Sequence, residues 1–162
     1  MNTKNFLGPL VVSMSLALSC GDDGGPTAPV VTPPSQASIT ISTSPAPITA
    51  TQSNEPGFSW MAEFTITIRE TAGIACNVNF ISLASGNVLL VDGADDIIAK
   101  AGTNHINPRG SLTVPFRIHY NSVAGDREVA WTVSVEVTDE RGNVITVGST
   151  VNFQLKGNAN AD

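Results

Sequence analysis

Ser111–Tyr120 reads S-L-T-V-P-F-R-I-H-Y and alternates without a break. Leu112, Val114, Phe116, Ile118 and Tyr120 fall on one face, and Ser111, Thr113, Pro115, Arg117 and His119 fall on the other. A β-strand sends successive side chains to opposite sides, so this period of two describes a strand with one buried and one wet face. The signature recurs outward from there. Trp131, Val133, Val135 and Val137 oppose Thr132, Ser134, Glu136 and Thr138. Phe64, Ile66 and Ile68 oppose Thr65, Thr67 and Arg69, and Ile145, Val147, Val151, Phe153 and Leu155 share one parity. Half-buried strands of this length belong to antiparallel sheets with one face on a core. No window sustains apolar residues at i, i+3, i+4 and i+7 over a helical length. Asp95 to Ala101 is the weak exception, either a helical turn or a short strand.

Turn residues cut this pattern into segments. Gly73, Ser85-Gly86, Asp92-Gly93, Gly102, Ala124-Gly125-Asp126 and Asp139-Glu140-Arg141-Gly142 separate strands expected near 38–43, 46–51, 58–69, 74–83, 87–91, 96–100, 111–120, 128–138 and 143–155. Asp139 to Gly142 reads as a type I turn with Gly142 in the left-handed position that a four-residue hairpin loop needs. Proline donates nothing to a ladder, so Pro45 and Pro47 predict a split or edge first strand, and Pro115 an edge or a bulge. The interleaved parities place Phe64, Ile66, Val78, Phe80, Val114, Phe116, Ile118, Trp131, Val133, Val135, Val151 and Phe153 in one core. The expected class is all-β.

The closing run V-A-W-T-V-S-V-E-V-T-D-E-R-G-N-V-I-T-V (Val129 to Val147) resembles the last two strands of bacterial immunoglobulin-like domains, with their D-x-x-G-N hairpin. The resemblance covers Ser38 to Lys156. It implies an immunoglobulin-like antiparallel β-sandwich of seven to nine strands over 37–157, with a habit of adhesion or spacing and no catalytic residues. The chain departs from antibody domains in having no cysteine pair between sheets and in carrying Trp131 in the penultimate strand.

The other end of the chain speaks of export. Lys4, the apolar stretch from Phe6 to Leu18 and small residues before Cys20 form a signal segment over 1–19, too short to span a bilayer. Ala17-Leu18-Ser19-Cys20 resembles the lipobox of bacterial lipoproteins, in which the cysteine is acylated. Ala17 stands where the family has Leu, and Leu18 where it has a small residue. Ala17 and Ser19 equally satisfy the small-x-small rule of an ordinary secretory signal, so both readings cut before Cys20. Residues 20–36 read as a Pro/Gly-rich tether, and 158–162 as a disordered tail. Extended at about 3.1 Å per residue, the tether after Cys20 reaches roughly 50 Å, enough to hold a domain clear of lipid headgroups. The resemblance implies an outer-membrane address in the bacterial cell envelope, with a lipid anchor on Cys20 and the domain facing periplasm or exterior.

Composition narrows the chemistry. The net charge is −6, becoming −7 when the signal removes Lys4. An acidic, lysine-poor surface argues against nucleic acid. His105 and His119 lie apart and lack the convergent ligand spacing of zinc. No G-x-S-x-G elbow or Cys–His arrangement presents itself for nucleophilic catalysis. Asp92, Asp95 and Asp96 are candidate calcium ligands, although turn chemistry accounts for the same residues and the spacing is not that of an EF-hand loop. Cys76 has core parity, with a bridge to Cys20 as the alternative if Cys20 is not acylated. Trp60 and Trp131 also have core parity, which leaves no exposed aromatic row for sugar stacking. The expectation is a module with no catalysis, cofactor or metal that binds or spaces envelope or surface proteins through an unpaired edge strand or end loops. The alternative is a module binding glycan or cell-wall polymer through the loops at one end.

Overall fold

The computed structural model describes residues 32–121 and 128–155. The signal segment, Cys20, most of the tether, the Ala124-Gly125-Asp126 turn and the tail lie outside the described residues. The chain divides into two units between Thr32 and Pro33, and the second carries every element below. These are β1 (Ile39–Ser44), β2 (Ile48–Gln52), β3 (Trp60–Glu70), β4 (Cys76–Ser85), β5 (Val88–Gly93), α1 (Ala94–Ala101), β6 (His105–Ile106), β7 (Ser111–Tyr120), β8 (Glu128–Asp139) and β9 (Val144–Leu155). The all-β reading holds, with α1 as the one helix among the described residues.

Strand pairing runs β1-β3-β2-β9-β8-β4-β5, with β7 on β3 and β6 on β4. One side of β3 is shared: β1 takes its C-terminal half and β2 its N-terminal end. On its other side β7 pairs from Trp60↔Tyr120 to Arg69↔Ser111. Side chains of β3 and β7 then meet those of β8 and β9 across the core. The Phe64 ring lies 5.6 Å from Phe116 and 5.3 Å from Phe153, and Tyr120 sits edge-on to Trp131 at 5.7 Å. Of the twelve expected core residues, eleven are buried.

The twelfth is a correction. Phe80 is half-buried, because the β4–β8 register shifts between Val78 and Phe80. A bulge adds one residue and reverses the alternation beyond it, so Ile81 and Leu83 turn inward instead. The side-chain amide of Asn79 secures the bulge by donating to Glu136 Oε1 and Thr138 Oγ1, each at 2.9 Å.

Two further expectations change. The strand expected at 96–100 is α1. Asp96 accepts the Gly93 N–H at 3.1 Å, and Asp95 and Asp96 lie in the first turn with Lys100 in the last, matching the helix dipole. Gly102, at φ +80°, closes the helix by donating to the Ile98 carbonyl at 2.8 Å. The pairing is also mixed rather than wholly antiparallel: β2 runs parallel to β9, from Ile48↔Phe153 to Ala50↔Leu155. Pro45 and Pro47 lack the N–H that a continuous ladder needs, so the first strand breaks there and its second half reaches β9 as well as β3.

Candidate functional site

Apart from the two-residue β6, three strands, β1, β5 and β7, pair on one side only among the described residues. An edge presents unpaired N–H and C=O groups and is normally protected by proline, charge or a covering element. β1 runs into Ser44-Pro45-Ala46-Pro47. β7 carries Pro115 and Arg117, whose guanidinium donates to Glu63 at 2.6 Å, while Lys100 of α1 sits 4.6 Å from the Phe116 ring centre. β5 has no such device. Its run Val88-Leu89-Leu90-Val91 contains neither proline nor charge, and the four residues are 44%, 65%, 37% and 54% exposed.

The geometry follows from the hairpin. Gly86-Asn87 connects Ser85 to Val88, with Gly86 at φ +54° in the first central position, where a type II′ turn requires a positive φ. Leu90 pairs with Leu83 and faces the same way. Leu83 is buried but Leu90 overhangs the core, so both faces of β5 stay open to solvent.

Two of the three candidate calcium ligands are already employed. Asp92 forms an ion pair with Lys100, Asp96 caps α1, and Asp95 is exposed in the first helical turn. Among the described residues no group of three or more His, Cys, Asp or Glu side chains converges as a metal site. His105 Nδ1 bonds Asn77 Oδ1 at 2.9 Å, and His119 Nδ1 bonds Ser53 Oγ at 2.8 Å, at separate places. Trp131 is buried and Trp60 half-buried. Phe58, tilted against His119 at 6.0 Å, is an exposed aromatic ring among the described residues. A shallow depression of about 560 Å³ beside Lys100, Pro115 and Arg117 presents charges that are already paired.

Sequence reasoning missed two buried carboxylates at one end of the fold. Glu70 accepts the backbone N–H groups of Ser38, Ala72, Gly73 and Arg109 at 2.7–3.3 Å. Burial alone would raise its pKa, but these four donors outweigh it and hold the carboxyl below its ordinary value. Asp139 accepts from Ala37, Arg141 and Asn143 backbone N–H groups and from the Asn143 amide. These bonds overcome burial and lower its pKa to about 2. Arg141 and Asn143 also donate to the Pro34 and Ser35 carbonyls at 2.6 and 3.3 Å. The end thus fastens the incoming chain. Burial first, then the charges of Glu70 and Asp139, push the Cys76 thiol up to about 11, so it is a poor nucleophile at neutral pH.

No protein-family model matches the chain, and no curated protein matches it. Solved structures do. A structural-genomics target from Bordetella pertussis described as its ApaA protein superposes with a TM-score of 0.54 at 10% identity, covering 75% of this chain and 97% of its own. A second structural-genomics target gives 0.48 at 12% identity, covering 78% and 92%. The alkylpurine DNA glycosylase AlkC of Pseudomonas fluorescens, bound to DNA containing an abasic-site analogue, gives 0.38 at 13% identity, over 75% of this chain and 31% of that one. At these identities the likeness concerns fold alone, and the first supports a shared fold with this chain. The last two carry no inference.

Proposed function

We propose that the protein is a non-catalytic, lipid-anchored module of the bacterial cell envelope, built on an immunoglobulin-like β-sandwich, that acts by contact with another envelope or surface protein. The sandwich reading is supported by a split first strand whose halves share β3 while the second also reaches β9, and by aromatic packing between β3/β7 and β8/β9. The contact reading rests on one observation, the unprotected apolar edge of β5. A partner in extended conformation can add a strand there, its main chain supplying affinity and its alternate side chains specificity. The anchor reading rests on the Cys20 segment of the sequence.

Two measurements test it. Cys20→Ala should move the protein from the membrane to the soluble fraction, and mass spectrometry of the parent should find an acylated N-terminus; an unmodified N-terminus or a Cys20–Cys76 bridge sinks the anchor. Leu89→Lys should lower the recovery of co-purifying envelope proteins, a second copy of this chain included, and unchanged recovery sinks the β5 surface. The glycan-binding alternative has Phe58 beside His119 in its favour. It predicts that Phe58→Ala, rather than Leu89→Lys, abolishes retention on cell-wall polymer.

A further inference from the structure

We propose that the strand seated on the free edge of β5 is β5 of a second copy of this chain, paired antiparallel about a two-fold axis at Leu90. This rests on the reading of β5 as the contact surface. The register of the hairpin decides which groups are free. Its two-residue connection closes on a hydrogen-bonded pair, Ser85–Val88, so alternation makes Leu83–Leu90 and Ile81–Asp92 the next bonded pairs. Leu89 and Val91 therefore turn their N–H and C=O groups outward. Two copies of β5 satisfy these groups reciprocally when Leu89 of each faces Val91 of the other. Leu90 then meets Leu90 of the second copy in the non-bonded position, where opposing side chains approach most closely.

Charge selects the same arrangement. Asp92 lies near the C-terminal end of the strand and Asp95 and Asp96 just beyond it, while its other end is the neutral Gly86-Asn87 turn. Antiparallel pairing sets each acidic end beside the neutral turn of the other copy. A parallel pair would stack acids against acids. Asp92, which falls opposite Val88 of the second copy, is already compensated by Lys100. Such an interface is isologous, the commonest form of self-association. A strand this short buries less than the roughly 1,000 Å² of a stable interface, so association is weak and concentration-dependent. Anchoring in a membrane raises the local concentration and favours it.

The test uses the full chain in membranes and extracted in mild detergent. On oxidation, Leu90→Cys should give a disulfide-linked dimer, whereas Thr132→Cys and the parent, with its buried Cys76, should not. Light scattering should show the mass of the parent rising toward twice the monomer with concentration, and Leu89→Lys should remove that rise while unfolding at the parent's temperature. Leu89→Thr, a milder change, should weaken it partway. A parent that stays monomeric with no Leu90→Cys dimer overturns the second-copy proposal. If Leu89→Lys nevertheless lowers recovery of envelope proteins, the β5 surface stands and its occupant is another protein. If recovery is also unchanged, both readings fall.

Discussion

Glu70 and Asp139 face inward where carboxylates are costly, and each is held ionised by backbone donors that would otherwise be unpaired. The sign of the pH dependence follows. Asp139 has an ordinary value of 3.8 unfolded and about 2 folded. Above about pH 4 both states are ionised and the contribution is fully present. As pH falls toward 2 the unfolded chain takes up its proton first, and stability drains away. Thermal unfolding between pH 6 and pH 2 should show that fall, and Asp139→Asn should flatten it. Glu70→Ala leaves four part-buried N–H groups without their acceptor and should cost about 1–3 kcal/mol, read from urea unfolding. In the core, Phe116→Ala removes a ring stacked on Phe64 and should cost roughly 3–5 kcal/mol, against about 0.5 or less for the exposed Thr132→Ala. Most core residues are legible because burial imposes a period of two. Glu70 and Asp139 are not, because some of the backbone donors that hold them are distant in sequence: Ser38 and Arg109 for Glu70, and Ala37 for Asp139, reached across the whole domain.

At the level of elements, the hairpin between β8 and β9 is where local chemistry is plainest. Gly142 adopts φ +83° and donates to the Asp139 carbonyl at 2.9 Å, as the turn signal predicts. A Cβ there would meet nothing within 4 Å, so Gly142→Ala should cost about 1–2 kcal/mol through backbone conformation alone. Equilibrium unfolding checks this, and an unchanged stability would mean the turn relaxes to another type. The elements that sequence misplaces have physical causes. The bulge at Asn79 reverses parity without any glycine or proline to announce it. The helix α1 is too short for a 3.6-residue period to outweigh its two adjacent isoleucines, and its real signals are the caps, Asp96 and Gly102. The two-residue β6 has no period at all.

For the molecule as a whole, the proposed anchor and the proposed contact surface come from opposite kinds of information. Cys20 is read from sequence and lies outside the described residues. The β5 edge is inconspicuous in sequence, since Val88-Leu89-Leu90-Val91 looks like any buried strand until the topology leaves it last in the sheet. If both readings hold, Cys20→Ala and Leu89→Lys should act differently: the first alters fractionation and leaves the β5 surface intact, weakening its contacts only by dilution from the membrane, while the second removes the contacts and spares fractionation. Swapping the two phenotypes would refute the division. The parallel pairing of β2 with β9 has a mechanical side as well. A pull arriving through the segment before Pro34 and leaving beyond Leu155 drags these two strands in opposite senses along their own axes. Their hydrogen bonds are then loaded together in shear rather than peeled one by one. The side-chain bonds from Arg141 and Asn143 to the segment just before β1 lie on the same path, so they share that load with the β2–β9 ladder.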